Sequence, residues 1–249
     1  MSRWSVDPLR IALAPGEIAF LHAQNSLVLT APERSTASLL SLLDAALADT
    51  SWQCRRVEVV LSQQFIRHVM TPPPGKALAR TEERALVAAV LREIYGDEAG
   101  QWRIQVHSQP PQHGLLGAAM EESFAQQLSS VLTRHGFRDV KIIPLASIAA
   151  GRLPKKLDGW WALAEPGWLS LFGASSGFWH HVSARPTDEG WAALLPELIE
   201  REAPSAAEPT VWIQALGVDA VLPPATNHAH WEVLPHENQA RGILALAGI

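Results

Sequence analysis

The chain has 249 residues, of which 47% are hydrophobic and 18% are charged, and its formal net charge is −5. This length suits one large domain or two small ones with a packed core. The charge balance provides neither the basic surface of a nucleic-acid-binding protein nor a polybasic anchor for an anionic membrane. We therefore expect no nucleic-acid partner.

The cellular compartment is indicated by the single cysteine and by the hydrophobic segments. Cys54 has no second cysteine with which to form an intramolecular disulfide, which fits a reducing compartment. The first ten residues contain no apolar signal segment. No stretch approaches the roughly 20 apolar residues that a membrane-spanning helix requires. We expect a soluble, cytoplasmic protein that does not insert into the membrane directly.

The first 50 residues predict three strands followed by a helix. Apolar runs at residues 10–14 and 18–23 are separated by Pro15-Gly16, a turn pair, and a third short run covers residues 27–29. The apolar period then changes from two to that of a helix over residues 35–48, with Ser35 or Thr36 placed to cap it.

The middle of the chain predicts alternating strands and helices. The second strand of this region is ended by three prolines at 72–74, which cannot donate hydrogen bonds to a sheet. The predicted strands are 57–61, 65–70, 102–106 and 140–143, and the predicted helices are 81–95, 114–135 and 145–150.

From residue 158 onward the pattern of the first 50 residues returns. Strands are predicted at 160–164, 168–172 and 178–184, and a helix at 188–202 follows them. Strands at 211–215 and 231–234 complete this part, and the tail after Pro235 predicts a short helix.

Two short segments share both letters and order of elements. IALAPGEIAFL at 11–21 and WALAEPGWLSLF at 161–172 each consist of an apolar strand, a Pro-Gly turn and a second apolar strand. Each precedes a third strand and a helix, so the chain contains a duplicated βββα unit. We predict two halves, residues 1–157 with an inserted strand and helix segment, and a shorter half at residues 158–249.

This duplicated plan resembles the actin-like, ribonuclease-H-like fold, an α/β fold with a mixed sheet in each half. VEVVLSQQFIRHVMTPPP at 57–74 resembles a recurrent segment of the PilM, MshI and GspL group of pilus-assembly and secretion proteins. Its most specific part is Leu61-Ser62 followed by Phe65-Ile66-Arg67. The likeness continues through LREIYGDEAGQWRIQV at 91–106 and the hairpin at 161–172. It identifies this chain as a divergent relative of that group.

The resemblance implies a cytoplasmic scaffold of a type IV pilus or type II secretion apparatus. Such a protein holds a short cytoplasmic peptide of an inner-membrane partner, and contact with an assembly ATPase is a further implication. The chain would then lie at the inner face of the bacterial inner membrane through that partner. We hypothesise that Phe65, Arg67 and His68 contact the peptide, because they form an apolar strand with polar side chains beside a rigid turn. The alternative is that this strand simply closes the first sheet.

The residues of the two Pro-Gly hairpins determine whether we expect the chain to bind a nucleotide. Actin-like ATPases hold phosphates in two hairpin turns of the form Asp-x-Gly, whose glycine admits the phosphate and whose carboxylate helps to place Mg²⁺. Here the first turn ends in Gly16 without a carboxylate, because Ala14 occupies that position. The second turn has Glu165 and Gly167. We predict that Gly16, Glu165 and Gly167 are vestigial phosphate-turn positions, with no cofactor and no catalytic residue. The alternative for the chain is an active ATP-binding protein with Mg²⁺, and the alternative for Glu165 is a solvated turn residue.

Other polar clusters offer weaker candidates. The stretch NHAHWEVLPHE at 227–237 carries three histidines and two glutamates, a composition that suits zinc. It supports a second alternative, a metal-dependent enzyme, although we expect no metal. His180 and His181 are adjacent on a predicted strand and should therefore point to opposite faces. Cys54 is expected to be a structural thiol, although the cations of Arg55 and Arg56 beside it would favour a reactive one.

Overall fold

The computed structural model describes residues 7–23, 25–49, 54–187, 190–203, 208–224, 229–234 and 242–248. The elements up to residue 149 are β1 (Leu9–Ala14), β2 (Glu17–His22), β3 (Asn25–Thr30), α1 (Thr36–Asp49), β4 (Arg56–Leu61), β5 (Arg67–Met70), α2 (Arg80–Tyr95), β6 (Trp102–His107), β7 (Leu116–Glu121), α3 (Glu122–Arg134), β8 (Asp139–Pro144) and α4 (Leu145–Ala149). The later elements are β9 (Gly159–Glu165), β10 (Trp168–Ser175), β11 (Phe178–Pro186), α5 (Trp191–Glu202), β12 (Thr210–Ala215), β13 (His230–Val233) and α6 (Leu244–Ala247).

The first half is a five-stranded mixed sheet in the order β3-β2-β1-β4-β8. The first three strands are antiparallel, whereas β4 and β8 run parallel to β1. Alternate residues such as Ile11 and Val59 bury their side chains on one face. The apolar stripes of α1 and α3 cover that face. The Ser35 hydroxyl accepts a hydrogen bond from the N–H of Ser38 at 3.1 Å, which confirms it as the cap of α1.

The second half repeats this sheet in the order β11-β10-β9-β12-β13, with the same pattern of antiparallel and parallel pairs. One face is covered by α5, which buries Trp191 and Leu195 against Ala162 and Val211. The prediction of a duplicated ribonuclease-H-like fold is therefore confirmed.

The other faces of the two sheets look toward each other and form one shared core. The first sheet contributes small side chains, among them Ala12 and Ala19, whereas the second contributes large ones, Trp161 and Phe172. Helices α4 and α6 belong to this core, and α6 contacts β1 and β2 although it follows the second half in sequence. The small side chains of the first sheet leave room for that close approach.

A third sheet is inserted into the first half between β4 and β8. It has the order β5-β7-β6, is fully antiparallel and packs against α2. The suggestion that the strand after β4 closes the first sheet is therefore wrong, because β5 belongs to this separate sheet.

Two boundaries in this region differ from the sequence prediction. Phe65 is not in a strand but ends a short 3₁₀ helix, Gln63–Phe65, and β5 begins only at Arg67. The single helix predicted for 114–135 is instead strand β7 followed by α3. The alanine-rich segment LGAAME suits a helix by propensity, but pairing between β5 and β6 overrides that preference.

Candidate functional site

The two Pro-Gly hairpins are structural counterparts. Ala14 pairs with Glu17 across the first turn and Glu165 pairs with Trp168 across the second, so each turn has two central residues. The glycines have φ of 85° and 74°, as a type II turn requires. In each half the glycine carbonyl also accepts a hydrogen bond from the residue after the third strand, at 2.8 Å and 3.1 Å. Glu165 is therefore the counterpart of Ala14.

Glu165 is buried between the two halves. Strand alternation places it on the inner face of β9, beyond Trp161 and Leu163, and only 1% of the residue is exposed. Its Oε1 accepts a hydrogen bond from the backbone N–H of Gln63 in the other half, at 2.8 Å. The interpretation of Glu165 as a solvated turn residue is therefore wrong.

A second bond ties the same hairpin to the same turn. The Gln64 Nε2 donates to the Pro166 carbonyl oxygen at 3.0 Å. The 3₁₀ turn after β4 and the β9–β10 hairpin thus form a direct polar link between the halves.

The environment of Glu165 makes its charged form unfavourable. Burial raises the pKa of this carboxyl to about 7, and hydrogen bonds from the Ser62 side chain and the Gln63 N–H offset only part of that effect. Its second oxygen, Oε2, has no hydrogen-bond partner among the described residues. The side chains of Ser170 and Gln214, each 1% exposed, lie on the same inner face, because both residues pair with Leu163. A buried polar cluster therefore occupies the junction of the halves.

Corresponding positions after β4 and β12 hold the two helices of the shared core. The N–H of Ser62 donates to Leu13 O at 2.9 Å, just as the N–H of Leu216 donates to Ala164 O at 2.8 Å. This register makes Gln63, the residue after Ser62, the counterpart of Gly217.

Each of these two residues accepts a bond from the start of a helix. With its amide oriented to satisfy its neighbours, the side-chain oxygen of Gln63 accepts from the N–H groups of Leu145 and Ala146 at the beginning of α4. The Gly217 carbonyl accepts from the N–H of Gly242, just before α6, at 2.9 Å. The duplication therefore extends to how each half holds a helix of the shared core.

The residues at the two turns do not fit the Mg²⁺–nucleotide arrangement that the resemblance implies. Ala14 supplies no carboxylate, and the Glu165 carboxylate is engaged by Gln63. The Arg34 side chain lies against Gly16, where an added Cβ would be 3.1 Å from its Cγ. Gly167 is open on that side, with no described atom within 4 Å. Neither glycine of the turns, nor Ala14 or Glu165, lines the cavities at the inserted sheet.

The three residues predicted to bind a partner are neighbours in the structure, but they line two different cavities. Phe65 stacks on Phe124 with ring centroids 5.0 Å apart, and Arg67 Nη1 donates to Gln64 O at 2.9 Å. His68 meets Phe172 edge-on at 5.4 Å, and burial lowers the pKa of its imidazole to about 4. Phe65 and Arg67 line one cavity, whereas Arg67 and His68 line another.

The first of these cavities, of about 200 Å³, lies between the first five-stranded sheet domain and the inserted sheet. Its apolar walls are Phe65, Trp102, Met120 and Phe124. A second cavity, of about 540 Å³, shares Trp102 and Glu121 with it. We call the two together the acidic groove, lined by Thr36, Gln64, Phe65, Arg67, Glu98, Gln101, Trp102, Met120, Glu121, Glu122, Ser123, Phe124 and Gln126.

The carboxylates of the acidic groove differ in their partners. Glu122 forms a two-point ion pair with Arg103, at 2.7 and 3.0 Å, and this interaction lowers the pKa of the Glu122 carboxyl. Glu98 and Glu121 form no ion pair within the described part of the chain. Two negative charges therefore remain available beside an aromatic pit.

His180 and His181 do not point to opposite faces, as the sequence predicted. A β-bulge opposite Gly173 and Ala174 shifts the register, and both imidazoles contact the Trp160 ring, with centroids 5.7 and 5.1 Å away. Gly173 permits this arrangement, because an added Cβ would lie 2.7 Å from His180 Cε1.

The proposed zinc cluster is only partly covered. His230 Nε2 lies 3.6 Å from Glu232 Oε1, whereas His228, His236 and Glu237 lie outside the described residues. Within those residues, no group of three or more His, Cys, Asp or Glu side chains is arranged to hold a metal ion. Burial raises the pKa of the Cys54 thiol, which favours the structural role over the reactive one.

Solved structures with a similar fold include three that match more than 80% of this chain and more than 80% of their own length. The cytoplasmic domain of EpsL, an inner-membrane component of the type II secretion system of Vibrio cholerae, has a TM-score of 0.58 and 13% identity over 97% of this chain and 92% of that one. A Bacteroides thetaiotaomicron protein of unknown function with an actin-like ATPase fold has a TM-score of 0.55 and 11% identity, over 88% and 86%. This chain has the actin-like fold.

The third similarity is to the PilM–PilN type IV pilus biogenesis complex, with a TM-score of 0.53 and 11% identity over 84% of this chain and 81% of that one. The sequence matches no protein-family model and none of the curated protein sequences compared with it. The resemblance predicted from the sequence is thus confirmed at the level of the fold. None of the described helices is long and apolar enough to cross a membrane.

Sequence reasoning missed the residues that connect the parts of this region. Gln63 joins Glu165 to α4, and Trp102 and Glu121 join the two cavities of the acidic groove. The available signal was the position of Gln63-Gln64 between Leu61-Ser62 and Phe65, inside the most specific segment of the resemblance.

Proposed function

We propose that this protein is a non-catalytic scaffold of a type IV pilus or type II secretion apparatus. It holds a short cytoplasmic peptide of an inner-membrane partner, stays at the inner face of the membrane through that partner, and contacts an assembly ATPase. The fold similarity to EpsL and to the PilM–PilN complex supports this class of function.

The acidic groove is the observation that carries the peptide-binding proposal. Cytoplasmic segments beside membrane-spanning helices are rich in Lys and Arg. Glu98 and Glu121 offer such a segment two carboxylates without ion-pair partners, and an apolar side chain of the peptide would enter the pit between Phe65, Trp102 and Phe124. Aromatic pits surrounded by polar residues are typical of the positions that dominate binding energy.

From the chemistry of the two hairpins we propose that the chain neither binds nor hydrolyses ATP. An ATPase would need a carboxylate at Ala14 to hold Mg²⁺ and its waters. It would also need a Glu165 carboxylate that is free of the Gln63 N–H. Calorimetric titration with ATP and Mg²⁺ tests this point. Saturating nucleotide at a hundredfold excess over its Kd would stabilise the fold by about 2.7 kcal/mol, and such a shift would contradict the proposal.

The peptide-binding proposal is tested with labelled synthetic peptides that cover the cytoplasmic segments of the inner-membrane pilus and secretion proteins of the source organism. Fluorescence anisotropy should find a peptide that binds the wild-type protein. Trp102→Ala should weaken it at least tenfold, because the pit loses its aromatic wall. The double variant Glu98→Gln/Glu121→Gln should weaken it several-fold and flatten its salt dependence.

Glu93→Gln is the matched control, because Glu93 is an exposed carboxylate of α2 that does not line the acidic groove. Its affinity should equal that of the wild type. Failure of every peptide to bind, or unchanged affinity in the Trp102 variant, would overturn the proposal.

A further inference from the structure

A second groove lies where the inserted sheet meets the second half. Strand β5 is the outer strand of its sheet and β11 is the outer strand of the second five-stranded sheet. The two strands lie side by side, and a cavity of about 610 Å³ opens along them. We call it the edge groove. It is lined by residues 66–70 and 180–185, with Ile94, Tyr95 and Trp168.

The edge of β5 presents unused backbone groups to this groove. Thr71, directly after β5, donates its N–H to Leu115 O at 3.0 Å. Residues of an antiparallel strand bond alternately to one side and to the other, so every second residue back from Thr71 bonds to β7. The N–H and C=O groups of the residues between them, His68 and Met70, therefore point away from the sheet and into the edge groove.

The edge of β11 also has outward backbone groups, of which the Ala184 carbonyl oxygen accepts a hydrogen bond from Arg185 Nη1 at 3.3 Å. Thr187 donates its N–H to Gly167 O at 3.1 Å, so the backbone groups of Val182 and Ala184 point away from β10. Pro186 occupies the next outward position, where its missing N–H costs no hydrogen bond of the sheet. No backbone hydrogen bond joins β5 to β11 within the described residues.

The edge groove has a positive charge on each side. Arg67 on β5 and Arg185 on β11 both line it, and among the described residues neither has a carboxylate partner. Arg67 also lines the acidic groove, and its Nη1 donates to Gln64 O at 2.9 Å, so Arg185 is the arginine that belongs to the edge groove alone. No Asp or Glu of the described chain lines the groove. Burial lowers the pKa of His180 and His181, so the two arginines carry its charge at neutral pH.

We propose that the edge groove binds an acidic, extended segment of a second partner protein as an added β-strand. The backbone of this segment bonds to the outward groups of β11, as in other cases of strand addition. Its carboxylates pair with Arg67 and Arg185, and its alternate apolar side chains contact Ile94 and Tyr95, which are 59% and 38% exposed.

The test uses a phage-displayed library of random ten-residue peptides, selected in parallel on wild-type protein and on Ala184→Pro. Proline removes one outward N–H and leaves the bonds of β11 to β10 in place. Peptides that bind the wild type but not this variant should be rich in Asp and Glu that alternate with β-branched residues. A synthetic copy of the strongest should bind Ala184→Pro at least tenfold more weakly than Ala184→Thr, which keeps the N–H.

Arg185→Gln provides a second measurement that does not depend on how the proline is accommodated. It should weaken the same synthetic peptide about fivefold at low salt and reduce the salt dependence of its Kd. Trp102→Ala should leave this affinity unchanged, so failure here is distinguishable from failure of the acidic-groove proposal.

Three results would overturn the inference. The first is that no peptide is lost on Ala184→Pro, including the case in which none is selected. The second is that the lost peptides carry no excess of Asp and Glu. The third is that wild-type protein dimerises and Ala184→Pro does not, which would make a second copy of this chain the occupant.

Discussion

Replacing Glu165 by glutamine should stabilise the protein at high pH and have little effect at low pH. Glutamine keeps the shape of the side chain and an oxygen that accepts from the Gln63 N–H, but it cannot ionise. The pKa of the Glu165 carboxyl rises from 4.5 in the unfolded chain to about 7 in the folded one. Between these values the unfolded chain has released its proton and the folded chain has retained it, so this carboxyl makes wild-type stability fall as pH rises.

The magnitude follows from the size of the shift. One pKa unit corresponds to 1.36 kcal/mol, so the loss of stability from Glu165 between pH 4.5 and pH 8 is about 3 kcal/mol. Urea denaturation of the wild type and of Glu165→Gln at both pH values measures it, and the variant should gain about 3 kcal/mol relative to wild type over that interval. The two proteins must be compared at each pH, because the His68 imidazole makes the stability of both rise with pH over an overlapping range.

Glu17→Gln is the control, since Glu17 starts β2 at the matching hairpin without being fully buried. Its stability should stay within about 0.5 kcal/mol of wild type at both pH values. If Glu165→Gln gains nothing between pH 4.5 and pH 8, or is less stable than wild type at pH 8, the carboxylate is stabilised in its charged form. Burial would then not be what controls the pKa of the Glu165 carboxyl.

Two further substitutions test the shared core. Wild type should lose about 3 kcal/mol of its free energy of unfolding as pH falls from 6.5 to 4, and His68→Gln should remove this loss. The reason is that the imidazole takes up a proton in the unfolded chain over this range, whereas the buried imidazole, with a pKa of about 4, does not. Identical acid profiles of the two proteins in urea titrations would contradict this. Gly217→Ala should cost about 3 kcal/mol or more, because the new Cβ meets the Gly242 carbonyl at a φ of +75°. Gly167→Ala has a similar φ of +74° in open space and should cost only about 1–2 kcal/mol in the same thermal or urea measurements; equal losses would show that the contact with Gly242 carries no weight.

The sequence predicted the features that local patterns determine. The Pro-Gly turns at 15–16 and 166–167, with apolar strands around them, were enough to identify the duplication and the order of elements. The paired sheets and the helix cap at Ser35 follow from the spacing of apolar residues and from capping residues, both of which are visible within a short stretch of sequence.

The parts that failed depend on contacts between distant segments. The strand at 116–121 is fixed by its position between β5 and β6, which no local window contains. The burial of Glu165 requires the turn at Gln63, about 100 residues earlier in the chain. The common direction of His180 and His181 arises from a bulge that Gly173 on the neighbouring strand permits. Both grooves likewise combine walls from separate elements.

Helix α6 follows the second half in sequence but packs on the first sheet, and this position affects how the chain folds during synthesis. Helix α6 covers β1 and β2 but is synthesised only after the strands and helix of the second half. The part of the first sheet that α6 covers must therefore stay uncovered until the second half has been made. Cleavage of the connection at 153–158 in the finished protein would leave two fragments that remain associated, because each contributes to the core that the other needs.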